Sequence, residues 1–127
     1  MTGWVSVENY KRLPVGDAGR DYRPIVGWSE RREYPMLAHV DSMGMTFFNR
    51  DQTETLDDEL VRIQSLIEQL GPAAALKQLN AVSPDLDAFE IHGWDTERDF
   101  AQLVSDLRGL CAIVRQKPHR YLVFSGD

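Results

Sequence analysis

Between Tyr34 and Leu70 the hydrophobic period of the chain changes once, and this change constrains the fold more than any other feature of the sequence. Leu37 to Val40 and Met45 to Phe48 carry the pattern of short strands on either side of Asp41-Ser42-Met43-Gly44, where Gly44 supplies the positive φ of a tight turn. After Asn49 the apolar residues Leu56, Leu60, Ile63, Leu66 or Ile67, and Leu70 recur three or four positions apart, which sets them on one face of a helix of about four turns. A hairpin and a helix with one apolar face each bury those faces against each other. The stretch therefore predicts an α+β fold nucleated by this pairing.

The rest of the chain adds elements around that unit. Trp4-Val5-Ser6-Val7 alternates as an edge strand would, Leu13 to Asp21 is rich in turn formers and reads as a surface loop, and Tyr22 to Trp28 reads as a further strand with Pro24 at its start or on an edge. Ser29 to Glu33 is a charged connection, and Pro35 holds the approach to the hairpin extended. The first long helix begins at Asn49, or after Thr53 or Thr55. Thr55 with Asp58 has capping-box spacing, and Asp57-Asp58-Glu59 suits a first turn. Gly71 ends this helix and Pro72 opens a short one over residues 73–79. Leu86 to Ile91 has a strand pattern. Asp95 or Thr96 caps the last helix, whose stripe is Phe100, Leu103, Val104, Leu107, Leu110, Cys111 and Val114; Pro118 stops it, and Tyr121 to Phe124 returns to the sheet. The expectation is one domain over residues 1–127: an antiparallel or mixed sheet of roughly four to six strands packed on two long helices and one short helix.

Composition narrows the function classes. A chain of 127 residues buries roughly two thirds of the surface it exposes when unfolded, so it needs no disulfide framework. Cys111 is the single cysteine, which excludes an intrachain disulfide and a multi-cysteine metal site and fits a reducing cytosol. No run has the length of a membrane span and no secretory signal pattern opens the chain, so a cytoplasmic location without a membrane partner is expected. His39, His92 and His119 lie far from metal-ligand spacing, Cys111 has neither an adjacent histidine nor a helix N-terminus to activate it, and neither a Walker loop nor a Gly-x-Ser-x-Gly elbow occurs. No catalytic residue, cofactor or metal is expected.

Charge distribution says more than the net −6: residues 1–50 sum to +1, residues 51–100 to −9 and residues 101–127 to +2. An acidic middle repels phosphate backbones and attracts basic surfaces, which points away from nucleic acid and towards a protein partner with a basic surface. The residues suited to such a contact are Trp28, Tyr34, Met43, Asp57, Asp58, Glu59, Trp94 and Asp95, because rings near chain breaks and adaptable methionines make good anchors. Packing offers each an alternative: rings that staple a sheet edge or helix, and acids that oppose a helix dipole.

From Trp28 through Leu60 the run Trp-Ser, Tyr-Pro-Met-Leu-Ala-His-Val-Asp, Met-Thr-Phe-Phe-Asn-Arg-Asp-Gln and Asp-Glu-Leu resembles small uncharacterised bacterial α+β proteins, some of which look like immunity partners of secreted toxins. The resemblance implies an acidic module that inhibits a toxin by covering its basic active-site surface. A second hypothesis, from another class, is a small enzyme or ligand-binding domain with Arg31, Arg32, His39, Asp41 and Asn49 lining one end of the sheet. A third is a subunit whose exposed rings are used in homo-oligomerisation.

Overall fold

The computed structural model describes residues 4–17, 22, 33–40, 44–80 and 95–126. Their strands are Trp4–Asn9 (β1), Pro14–Asp17 (β2), Met45–Phe48 (β3) and Arg120–Ser125 (β4); their helices are Pro35–His39 (α1), Arg50–Leu70 (α2), Pro72–Asn80 (α3) and Thr96–Gln116 (α4). The strands form one sheet in the order β2-β1-β4-β3, antiparallel at every pairing. The fold is α+β, with the two long helices and one short helix expected, plus the single-turn α1.

Register fixes which side chains share a face. Val5 pairs with Phe124 and Thr46 with Phe124, while Val7 pairs with Leu122 and Phe48 with Leu122, so these side chains point to one side of the sheet. They are buried there beneath α2 and α4. Phe124 meets Tyr22 and Phe48 edge to face, at centroid distances of 5.1 and 5.6 Å. The expected stripe of α4, Phe100 through Val114, is buried throughout, as are Leu56, Leu60, Ile63 and Ile67 of α2. The two helices run antiparallel, since Arg108 reaches Gln64 and Arg115 reaches Asp57.

Helix ends follow local chemistry. The Asn49 side chain accepts the Gln52 amide and the Gln52 side chain accepts the Asn49 amide, both at 2.9 Å, so the capping box starts at Asn49 and not at Thr55. Asp57, Asp58 and Glu59 consequently lie two turns into α2 and not in its first turn. Gly71, at φ 84, closes α2 and Pro72 opens α3. Asp95 caps α4 by accepting the amides of Glu97 and Arg98, while its own amide donates to Asp99.

Several expectations fail in the structure. Leu37 to Val40 is not a strand: residues 35–39 form α1, because Pro35 at its first turn preorganises helical φ and the Glu59 carboxylate receives two of its free amides. No hairpin joins it to Met45–Phe48, and β3 pairs with β4 instead. Trp4–Asn9 is an inner strand and not an edge, and Pro14–Asp17 is a strand where a loop was expected. The strands expected over residues 22–28 and 86–91 fall outside the described residues, save for Tyr22, which is buried.

Candidate functional site

Of the residues singled out as contacts, Trp28, Met43 and Trp94 lie outside the described residues, as do Arg31, Arg32 and Asp41 of the alternative site. The others are placed by specific interactions. Tyr34 caps α1 and is buried, with the Arg62 guanidinium 5.0 Å from its ring centroid. Asp57 is buried between α2 and α4, accepting from Arg108 at 3.0 Å and facing Arg115 at 3.5 Å. Glu59 is 1% exposed and accepts the amides of Met36 at 2.9 Å and Leu37 at 3.1 Å. Tyr34, Asp57 and Glu59 thus face inward, a correction to their expected place on the surface. Glu59 is drawn in by the two free amides of α1, Asp57 by the arginines of α4, and Tyr34 by its place at the start of α1 against α2.

Asp58 and Asp95 are exposed. Asp58 shares one face of α2 with the exposed Asp51, Glu54 and Glu68, so part of the acidic block does form a surface stripe. His39 is exposed at the end of α1, tilted against Phe48 with centroids 6.3 Å apart, and Asn49 is committed to capping α2. Neither joins a described cluster of reactive groups. Burial, assisted by the Asp57 charge, pushes the Cys111 thiol up to about 12, which keeps it protonated. Among the described residues no three His, Cys, Asp or Glu side chains stand together as metal ligands would.

The feature that does gather surface side chains is the sheet face turned away from the helices. Trp4, Ser6 and Glu8 of β1, Tyr121 and Val123 of β4, and Met45 and Phe47 of β3 alternate onto it. Ser6 and Val123 are buried at its centre, whereas Trp4 is 47% exposed, Met45 49%, Phe47 42% and Tyr121 37%. Tyr10 and Leu13 extend the exposed apolar surface into the β1–β2 turn, and Val15 carries it onto β2. Of the nine large apolar side chains exposed among the described residues, these seven are on the sheet or its first turn, and only Val61 and Leu70 are elsewhere. A concentration of this kind marks an interaction surface more often than chance exposure does.

Polar groups frame one end. Arg12, at φ 63 in the β1–β2 turn, bonds Glu8 at 2.6 Å and lays its guanidinium 4.8 Å from the Phe47 centroid, reaching across β4. Tyr10 meets His119 of the α4–β4 connection at 6.1 Å, which brings Lys11 and Lys117 to the same end of the sheet. No protein-family model, curated protein or solved structure matches the chain.

The sequence reading missed Trp4, Phe47, Tyr121 and Arg12 as surface groups. Their signal was present. Tyr121-Leu122-Val123-Phe124 is apolar at every position, so a strand there must carry apolar side chains on both faces, and Phe47-Phe48 repeats the pattern in β3. The ring pattern shows that both faces are apolar; only the placement of both long helices on one side shows which face the described elements leave open.

Proposed function

We propose that this chain is a protein-binding module and that its contact surface is the outer face of the sheet. The observation that carries the reading is the set Trp4, Met45, Phe47 and Tyr121, four half-exposed large side chains spread over three adjoining strands. Rings held on a rigid sheet bind at low entropic cost, because little side-chain freedom remains to be lost, and the flexible Met45 adapts to the surface it meets. The toxin-neutralising role implied by the resemblance over Trp28 to Leu60 is one form of such binding. A small domain that blocks another protein by covering it requires a firm apolar face, and the sheet provides one. The acidic middle of the chain leaves an exposed α2 stripe of Asp51, Glu54, Asp58 and Glu68, but this stripe lies on the helix side of the molecule, away from the proposed contact face.

The test is paired affinity capture from lysate and from the product of the adjacent gene, with the wild-type chain and a Phe47→Ser, Tyr121→Ser variant as baits. The proposal expects a stoichiometric partner retained by the first and lost by the second. Equal retention by both baits, or none by either, refutes it.

A further inference from the structure

The outer-face reading leaves the chemistry of the partner open, and the cations at one end of the face bear on it. We infer that the sheet face takes an acidic amphipathic polypeptide segment, its apolar side chains along Trp4, Phe47 and Tyr121 and its carboxylates over the turn end, at Lys11 and Lys117. This inference rests on the proposed protein-binding role and adds the charge of the partner to it.

Charge complementarity is the ground for it. The register of Asn9 with Arg120 and the contact of Tyr10 with His119 set the β1–β2 turn beside the α4–β4 connection. Three basic side chains, Lys11, Arg12 and Lys117, therefore stand at that end. Among the described residues, two acids share the outer face: Glu8, whose side chain is only 13% exposed and is already bonded to Arg12, and the exposed Asp17, which pairs with Ser6 away from the turn end. Arg120, in register with Asn9 and in phase with Leu122 and Phe124, is turned to the helix side, where it donates to the Ile113 carbonyl of α4, and is not part of this face. Lys11 lies 5.6 Å from the Tyr10 ring centroid, a contact that again leaves its charge in place, and Lys117 is exposed.

At the turn end the sign of the described side chains thus opposes the net charge of −6. Screening decides which an approaching segment meets. The acidic stripe of α2 lies on the far side of a helix about 10 Å thick, beyond a Debye length of about 8 Å at physiological salt. A segment at the turn end therefore meets the lysines first. A single-stranded nucleic acid also pairs rings with cations, but stacking needs open ring faces. Phe47 is already covered on one side by Arg12, and a long polyanion would extend past the cationic end into the field of an acidic molecule.

The test follows backbone amide shifts of the isotope-labelled chain on titration with a random poly(Glu,Tyr) copolymer, with poly(Lys,Tyr) and with oligo(dT). The inference expects poly(Glu,Tyr) to shift amides of β1, β3, β4 and the Lys11 turn. A Lys11→Glu, Lys117→Glu variant should keep the unbound spectrum elsewhere, since both side chains are exposed, and should weaken that binding by about tenfold or more. Silence with poly(Glu,Tyr), or undiminished binding by the charge-reversed variant, overturns the inference. Stronger shifts with poly(Lys,Tyr) overturn the acidic partner and leave the face as a protein-binding surface. Shifts with oligo(dT) alone overturn both readings. Capture of a partner that is lost with Phe47→Ser, Tyr121→Ser yet untouched by the lysine reversals likewise sinks the charge assignment alone.

Discussion

Glu59 offers the sharpest test of how this fold is held, because one carboxylate acts as a helix cap from a distance. α1 lacks a side-chain cap of its own, and the amides of Met36 and Leu37 both donate to Glu59 across more than twenty residues of chain. Replacing it by alanine strands the Leu37 amide in a buried site, at about 1–3 kcal/mol, and the part-buried Met36 amide at a fraction of that, since water reaches it. Relief of the buried charge works the other way, which brings the expected loss to about 2 kcal/mol. The more telling variant is Glu59→Gln, which keeps one acceptor, turns an amine towards the other amide and removes the titration. Burial holds the Glu59 carboxyl above its ordinary 4.5, outweighing the two amide bonds and the Arg62 charge, which lower it. A folded state with the higher pKa binds the proton more tightly than the unfolded chain. The stabilisation from that proton is therefore complete below about pH 4.5 and is lost as pH rises through the folded pKa. Urea unfolding of both proteins across a pH series should show the wild-type advantage over Glu59→Gln shrinking as pH rises through that window and then levelling. An advantage that grows with pH would mean that the amide bonds outweigh burial at this carboxylate, and would refute the raised pKa.

Other substitutions report on separate parts of the fold. Asp57→Ala removes the acceptor shared by Arg108 and Arg115, and because those side chains are 38% and 36% exposed, water can take over their solvation; urea titration should give a loss of about 1–2 kcal/mol, below the 3–5 of a fully buried pair. Asn49→Ala opens the α2 capping box and should cost about 1 kcal/mol in the same assay, with faster amide exchange at Gln52 and Thr53. Cys111, with its thiol pushed up to about 12 and no exposed surface, should stay inert to an aromatic disulfide reagent at neutral pH until denaturant exposes it. Phe47→Ser with Tyr121→Ser should change stability by no more than about 1–2 kcal/mol in total, counting the lost Arg12 contact, and a drop as large as that of a core ring would place these side chains in the packing and not on a contact face.

The elements that sequence reading recovered are those whose pattern is long and one-sided. The α4 stripe from Phe100 to Val114 repeats over several turns, so no local rival competes with it, and Gly71-Pro72 punctuates as such pairs do. The run Pro35 to Val40 misled because a five-residue helix is too short for its period to declare itself, and what stabilises it is a carboxylate more than twenty positions away. The acids misled for a related reason. Asp57, Asp58 and Glu59 are consecutive, yet a helix turns each by about 100° from the last, so one run divides between an α4-facing salt bridge, solvent and the α1 cap. Charge counted along the sequence therefore overstates charge on the surface.

A sheet covered on one side ordinarily alternates apolar and polar, and the departures from that rule are informative. β1 keeps it in part, with Ser6 and Glu8 outward, but Trp4 breaks it; β3 breaks it fully with Met45 and Phe47, and β4 breaks it with Tyr121 and Val123 while keeping Ser125 outward. The inner face does not need these side chains, since Val5, Val7, Phe48, Leu122 and Phe124 already fill it against α2 and α4. Nor does strand propensity demand them at four outward positions, because threonine serves equally well on a solvated pleat. Left open, the same rings invite self-association. Charge at the turn end opposes that for any pairing that sets turn end on turn end, where Lys11 and Lys117 would meet their own copies, while the remaining arrangements lack this repulsion. Dilution-series sedimentation thus separates the two uses of the face: a monomer across the range favours a foreign segment as its occupant, and a concentration-dependent dimer favours a second copy.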